Sequence, residues 1–187
     1  MRYPLLRWLA ALACLGLFSF SQTSAAPNSA QPNKPDFNGA WTLDLSASNS
    51  LDLLMTRIGA SFIERKYAAW TKLTAALHQT EDALKIAARG PGFALDETLY
   101  LDGHNYPGNL QLLGATALNT RTAWSKDYQQ LVESHQIKTK QGKDGQLIIK
   151  RYLMNDGKTL VAVYSLQLST EPNKTSAQQI WRKQVKV

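Results

Sequence analysis

The feature that most restricts the fold of this chain is the succession of short strand-like runs that fills everything after Thr71. Leu73 to Thr80, Ala83 to Arg89, Phe93 to Leu101, Leu110 to Ala117, Thr120 to Ser125, Tyr128 to Lys138, Gln146 to Met154, Thr159 to Leu168 and Ala177 to Lys186 are divided by turn chemistry such as Gly90-Pro91-Gly92, Asn155-Asp156-Gly157 and Thr170 to Thr175. One more run precedes them. Phe37, Gly39, Trp41, Leu43 and Leu45 fall on one face and Asn38, Ala40, Thr42 and Asp44 on the other, the period of a half-buried strand. Consecutive strands with short turns favour an up-and-down antiparallel sheet closed on itself, which removes its exposed edges. A barrel of about ten strands is wider than the roughly eight that side chains alone can fill, so it is expected to enclose a cavity. The alternative, a sandwich of two sheets, predicts a filled core with no ligand space.

Between the first and second strands the period changes. Ser46 to Ser50 can cap a helix, and Leu51, Leu54, Met55 and Ile58 then recur at helical spacing until Gly59. Over residues 60 to 71, Phe62, Ile63, Lys66, Tyr67 and Trp70 place apolar bulk on one side, with Glu64 and Arg65 toward water. The expected architecture is therefore an all-β barrel of about ten strands with a helix-turn-helix lid.

The N-terminus reads as an export signal. Arg2 and Arg7 form a positive start, Trp8 to Phe20 an apolar middle and Ser24-Ala25-Ala26 a small-residue cleavage site, giving a signal peptide over 1–26. The apolar run is shorter than the roughly 20 residues a membrane-crossing helix needs. Cys14 lies inside it, so the mature chain has no thiol chemistry and no disulfide scaffold. Residues 27–35 are polar and proline-rich, a flexible leader to a single domain over 36–187. The whole chain of 187 residues carries 21 basic against 14 acidic groups; removing Arg2 and Arg7 leaves 19 against 14, a net charge of +5. These features predict an exported protein, periplasmic or secreted.

Chemistry-bearing motifs are few. His78, His104 and His135 lie on separate elements without metal-ligand spacing, so no metal is expected. There is no Gly-x-Ser-x-Gly elbow and no glycine-rich phosphate loop, and Asp96 and Glu97 alternate to opposite strand faces, away from acid-base pairing. No enzyme, cofactor or nucleic-acid role is expected.

Gly39-Ala40-Trp41-Thr42-Leu43 resembles the opening Gly-x-Trp-x-Leu of the intracellular fatty-acid-binding proteins, members of the calycin group. Ser50 to Gly59 (SLDLLMTRIG) resembles that family's first lid helix, and Ala60 to Lys72 continues like its second, with Phe62 and Arg65 at matching places. Phe93 to Gly103 (FALDETLYLDG) is similar to the family's Phe-Lys-x-Thr-Glu-Ile-x-Phe-x-Leu-Gly strand. After Gly103 only short pieces match.

The resemblance implies a ligand carboxylate held inside the barrel by an Ile-Lys-Arg segment and an Arg-x-Tyr segment. Ile149-Lys150-Arg151 matches the first, and alternation puts Arg151 on the face of Leu147, Ile149 and Leu153. At the second, Gln179-Ile180-Trp181 replaces the cation with an amide and the phenol with an indole. Both can still donate hydrogen bonds, so an ester, amide or alcohol head becomes as plausible as a free acid. The candidate head-group residues are thus Arg151, Gln179 and Trp181. Leu51, Leu54, Met55, Ile58, Phe62 and Phe93 are candidates for the lid and portal, and Gly39 and Trp41 for structural positions, Trp41 beneath Arg182 or Lys183. The function expected is a monomeric binding protein for a lipid or other apolar small molecule, with an anionic membrane surface as a second partner. The alternative is a cell-envelope interaction protein with a filled barrel and a basic outer face.

Overall fold

The structure, a computed structural model, describes residues 34–108 and 114–184. The signal peptide expected over 1–26, most of the leader and residues 110–113 of the strand expected at Leu110 to Ala117 lie outside them. Ten strands and two helices follow in order: β1 (Gly39–Asp44), α1 (Asp52–Arg57), α2 (Phe62–Trp70), β2 (Thr74–Gln79), β3 (Ala83–Gly90), β4 (Phe93–Tyr100), β5 (Asn105–Tyr106), β6 (Thr116–Trp124), β7 (Leu131–Lys138), β8 (Asp144–Met154), β9 (Thr159–Leu168) and β10 (Thr175–Lys183). Ten strands were expected and ten are described, but several limits differ: β7 begins at Leu131 rather than Tyr128, β8 at Asp144 rather than Gln146 and β10 at Thr175 rather than Ala177. The strand expected at Thr120 to Ser125 begins at Thr116 and takes in the end of the run Leu110 to Ala117, and the two-residue β5 at Asn105–Tyr106 was not expected.

The sheet is antiparallel throughout, in the order β4-β3-β2-β1-β10-β9-β8-β7-β6-β5. Each strand pairs with its chain neighbour, and β1 pairs with β10 through Trp41 opposite Lys183 and Leu43 opposite Trp181. Full closure was expected, but the ladder stops at β4 and β5, and the sheet curls into a half-barrel with β4 lying beside β6. At one end the seam is stitched by the Gly103 amide donating to the Thr122 carbonyl at 3.0 Å and by the Tyr100 and Tyr106 rings, 4.5 Å apart.

Turn chemistry sets the strand ends. The β8–β9 turn holds Asn155, Asp156 and Gly157 at φ of 52°, 50° and 77°, a left-handed run that short polar side chains and glycine tolerate. Helix α2 starts with a capping box in which the Ser61 hydroxyl accepts from the Glu64 amide and Glu64 accepts from the Ser61 amide.

Inside, two apolar clusters form. At the lid end Leu51, Leu54, Met55 and Ile58 pack on Ile137, Leu147, Leu166 and Leu168. At the other, Phe37, Trp41, Leu84, Leu99, Leu131 and Trp181 pack together, and Phe37 stacks on Trp124 at 5.9 Å and 3°. Burying each such large side chain contributes about 1.5–3 kcal/mol. The amphipathic reading of α1 is correct, but that of α2 needs correction. No α2 residue is buried, and Phe62, Ile63 and Trp70 are 63%, 78% and 78% exposed. The helix is held by polar bonds instead: Lys140 to Glu64 at 2.9 Å, Arg65 to Asp52 at 2.9 Å, and the Tyr67 hydroxyl donating to the Pro91 carbonyl.

Candidate functional site

Strand alternation and register bring a set of polar side chains inward. On β7, Leu131, Glu133, His135 and Ile137 share the inner face, opposite Arg151, Ile149, Leu147 and Gly145 of β8. Arg151 is in turn opposite Ala162 of β9, and Ala162 is opposite Gln179 of β10. Tyr164, two residues beyond Ala162, faces the same way.

These residues bond to one another. Arg151 forms an ion pair with Glu133, and their side chains are only 12% and 1% exposed. The Tyr164 hydroxyl donates to Gln179 Oε1 at 2.9 Å. On the far side of Glu133, His135 Nε2 lies 3.4 Å from Glu133 Oε2, and His135 Nδ1 shares a 2.8 Å hydrogen bond with Thr120 Oγ1. Burial lowers the imidazole's pKa to about 4 against an opposing pull from Glu97, so His135 is neutral at ordinary pH. Burial raises the Glu97 carboxyl above its usual value, with Arg151 and His135 drawing it back. Burial also pulls Arg151 down and pushes Tyr164 up from their ordinary values.

Arg151, Tyr164, Gln179 and Trp181 border one cavity of about 60 Å³, whose remaining wall is apolar, including Leu73, Ala75, Leu77, Ile86 and Leu160. That is space for a few waters, whereas pockets for drug-sized ligands span about 300–1,000 Å³. The buried indoles of Trp41 and Trp181 take up part of the wide interior expected of ten strands. A larger surface cleft, about 350 Å³, lies outside along Thr42 to Ser46, Lys72 and Arg182. Two of its charges pair, Arg182 to Asp44 at 3.0 Å, and hydrogen bonds from Ser46 and Arg182 lower the Asp44 pKa to about 2.

The three head-group candidates of the sequence, Arg151, Gln179 and Trp181, thus meet at a single cavity. Leu51, Leu54, Met55 and Ile58 close the lid end without bordering it. Phe93 turns inward, half-buried, against the Trp41 cluster, whereas Phe62 points to solvent and lines nothing, because its stripe on α2 faces away from the sheet. Trp41 is fully buried with Lys183 Nζ 5.3 Å from its ring centroid. Sequence reasoning missed Glu97, Glu133, His135 and Tyr164. The signal was parity: each occupies the apolar phase of its strand, Glu97 between Leu95 and Leu99 and Glu133 between Leu131 and His135.

The strand order and the helix pair between β1 and β2 define a fold, the small up-and-down barrel with a helical lid seen in fatty-acid-binding proteins. Comparison with solved structures supports this fold. Apo lipid binding protein 8 of Caenorhabditis elegans superposes with a TM-score of 0.61 at 14% identity, covering 79% of this chain and 95% of that one. Fatty-acid-binding protein 1 of Echinococcus granulosus gives 0.61 at 14%, covering 80% and 98%. A Schistosoma mansoni fatty-acid-binding protein in complex with arachidonic acid gives 0.59 at 15%, covering 80% and 96%. No protein-family model and no curated protein sequence matches the chain.

Proposed function

We propose that the chain is an exported, monomeric binding protein for an apolar small molecule, a lipid in the first instance, whose polar head sits at the Arg151, Tyr164, Gln179 and Trp181 end of the cavity. The observation that carries this reading is the convergence of those four side chains on one otherwise apolar space. The fold agrees with it, since the structural neighbours are named as lipid- and fatty-acid-binding proteins. An acyl chain needs more than 60 Å³, so binding entails repacking. The seam between β4 and β6, where the described strands share no ladder, can widen away from the Gly103–Thr122 bond without breaking sheet hydrogen bonds. Export rests on the Arg-start, apolar middle and small-residue end of residues 1–26.

Binding rather than catalysis is the favoured role. Thr120, His135 and Glu133 make a hydroxyl-imidazole-carboxylate chain, but none of the three borders the cavity. Native mass spectrometry of the purified protein, followed by solvent extraction, should give a reproducible acyl-bearing ligand, weakened in folded R151A and W181A. A protein that copurifies with none and binds no long-chain alcohol, amide or acid has no such function.

A second reading, an envelope protein with a filled barrel, is favoured by the exposed stripe on α2, where Arg65 and Lys66 lie 5.9 and 5.3 Å from the Phe62 ring centroid. It calls for binding to anionic vesicles that survives filling of the cavity and falls at high salt.

A further inference from the structure

Among the described residues Arg151 is the one cation bordering the cavity, yet its charge is already answered from within the protein. Glu133, 1% exposed, stands behind Arg151 on the neighbouring strand and forms an ion pair with Nη1 of its guanidinium. Glu133 does not border the cavity, so it occupies none of the ligand's space. The guanidinium has five N–H donors in a fixed fork, and those not directed at Glu133 remain for other acceptors.

Among the described residues bordering the cavity or facing Arg151, none adds a positive charge. Glu97 faces inward from β4 as a second carboxyl, and His135 is neutral above about pH 4. Tyr164 spends its proton on Gln179 Oε1, which leaves the Gln179 amide N–H groups free for an acceptor. The Arg151–Glu133 pair sums to zero, and with Glu97 ionised the set is negative. A ligand carboxylate brought here would lose hydration worth several kcal/mol and find no uncompensated cation in return. A neutral oxygen loses far less and meets the donors of Arg151 and of the Gln179 amide.

On the reading of the barrel as a binding protein, we infer that Glu133 is a specificity-setting residue, the barrel's own carboxylate for Arg151. The cavity then takes an apolar molecule whose head is a neutral oxygen acceptor, an alcohol, amide or ester, and turns away the ionised free acid. Glu133 acts through Arg151 and is a positioning residue.

The test is calorimetric titration of the full chain at neutral pH with oleyl alcohol, oleamide and oleate. Wild type should bind the two neutral probes at least about tenfold tighter than oleate, and Glu133→Gln, which frees the Arg151 charge, should shift the ratio toward oleate by about tenfold or more. The double variant E133Q/R151M removes both charges and should restore the wild-type preference, and it remains informative if E133Q alone does not fold. Wild type binding oleate as tightly as oleyl alcohol, a folded E133Q with an unchanged ratio, or a double variant without the preference each overturns the inference while leaving the binding function standing. Failure of all three probes to bind any of the proteins overturns that function and this inference together.

Discussion

Lys183 lies across the indole of Trp41, its ammonium 5.3 Å from the ring centroid, and its ε-carbon passes 2.9 Å from where a β-carbon on Gly39 would stand. The three residues explain the Gly-x-Trp of β1: Gly39 gives Lys183 passage over the ring, and its φ of +134° is one that L side chains rarely adopt. Gly39→Ala should therefore cost about 1–3 kcal/mol, chiefly as backbone strain, because the flexible lysine can yield. Lys183→Met, which keeps the stem and removes the charge, should cost only about 0.5–1 kcal/mol. Urea unfolding of both variants checks the order; a larger loss for Lys183→Met would mean that the cation, not the backbone, holds this corner.

His135 makes stability depend on pH in a window set by its own shift. Its pKa is about 4 in the folded protein against the ordinary 6.5, so between those values the unfolded chain binds more protons and stability falls as pH falls. The full difference is of the order of 3 kcal/mol, complete near pH 4 and absent above about pH 7. The charged groups around the ring are Glu133 on its own strand, Glu97 across the interior and, beside Glu133 on β8, Arg151, with Thr120 bonded to Nδ1. Glu97, raised by burial, gives the opposite slope, since its folded form binds the extra proton. The His135 contribution is thus the difference between wild type and H135Q in thermal unfolding across this range. Parallel pH profiles for the two proteins would show that the ring does not carry the dependence.

Much of this was legible from alternation alone. The strand Thr159 to Leu168 is β9 residue for residue, and the phase Leu147, Ile149, Arg151, Leu153 places Arg151 inward because side chains in a strand alternate strictly. What alternation cannot supply is the partner. That Glu133 meets Arg151 depends on the β7–β8 register, which sets Glu133 opposite Ile149 and thus one diagonal step from Arg151. Nor does helical periodicity say which way a stripe turns. Phe62, Ile63 and Trp70 form an apolar side of α2 as legible as that of α1, yet the polar bonds of Glu64, Arg65 and Tyr67 face it outward. The short β5 was missed because Asn105-Tyr106 is too brief to show any period.

Helix α1 is fastened by an ion-pair cluster where it meets the β9–β10 connection. Arg57, its side chain 13% exposed, donates to Glu171 and to the Thr175 hydroxyl, and Glu171 also receives Lys143 at 3.1 Å. Both cations hold the Glu171 carboxyl below its usual pKa, Lys143 first. Arg57→Gln should speed hydrogen exchange in α1 and α2 and leave the β8 and β9 amides at wild-type rates, as local opening predicts. High salt should act on wild type in the same direction and less on the variant. Uniformly faster exchange over the whole sheet would mean that the lid and barrel open only together.

Filling the cavity separates the two proposed functions. Ala162, 2% exposed, borders the cavity between Arg151 and Gln179, and the space of about 60 Å³ can take the two methyl groups that valine adds. Ala162→Val also suits a strand position, so thermal stability should change by less than about 1.5 kcal/mol in either direction. If the cavity receives a ligand head, binding of oleyl alcohol should weaken about tenfold or more, because the methyl groups stand where the head would meet the Arg151 donors. If the barrel instead works through its outer face, vesicle binding through Phe62, Ile63 and Trp70 should be unchanged by Ala162→Val and reduced by Trp70→Glu. Loss of vesicle binding in Ala162→Val, with the protein folded, would tie the outer face to the cavity and refute their independence.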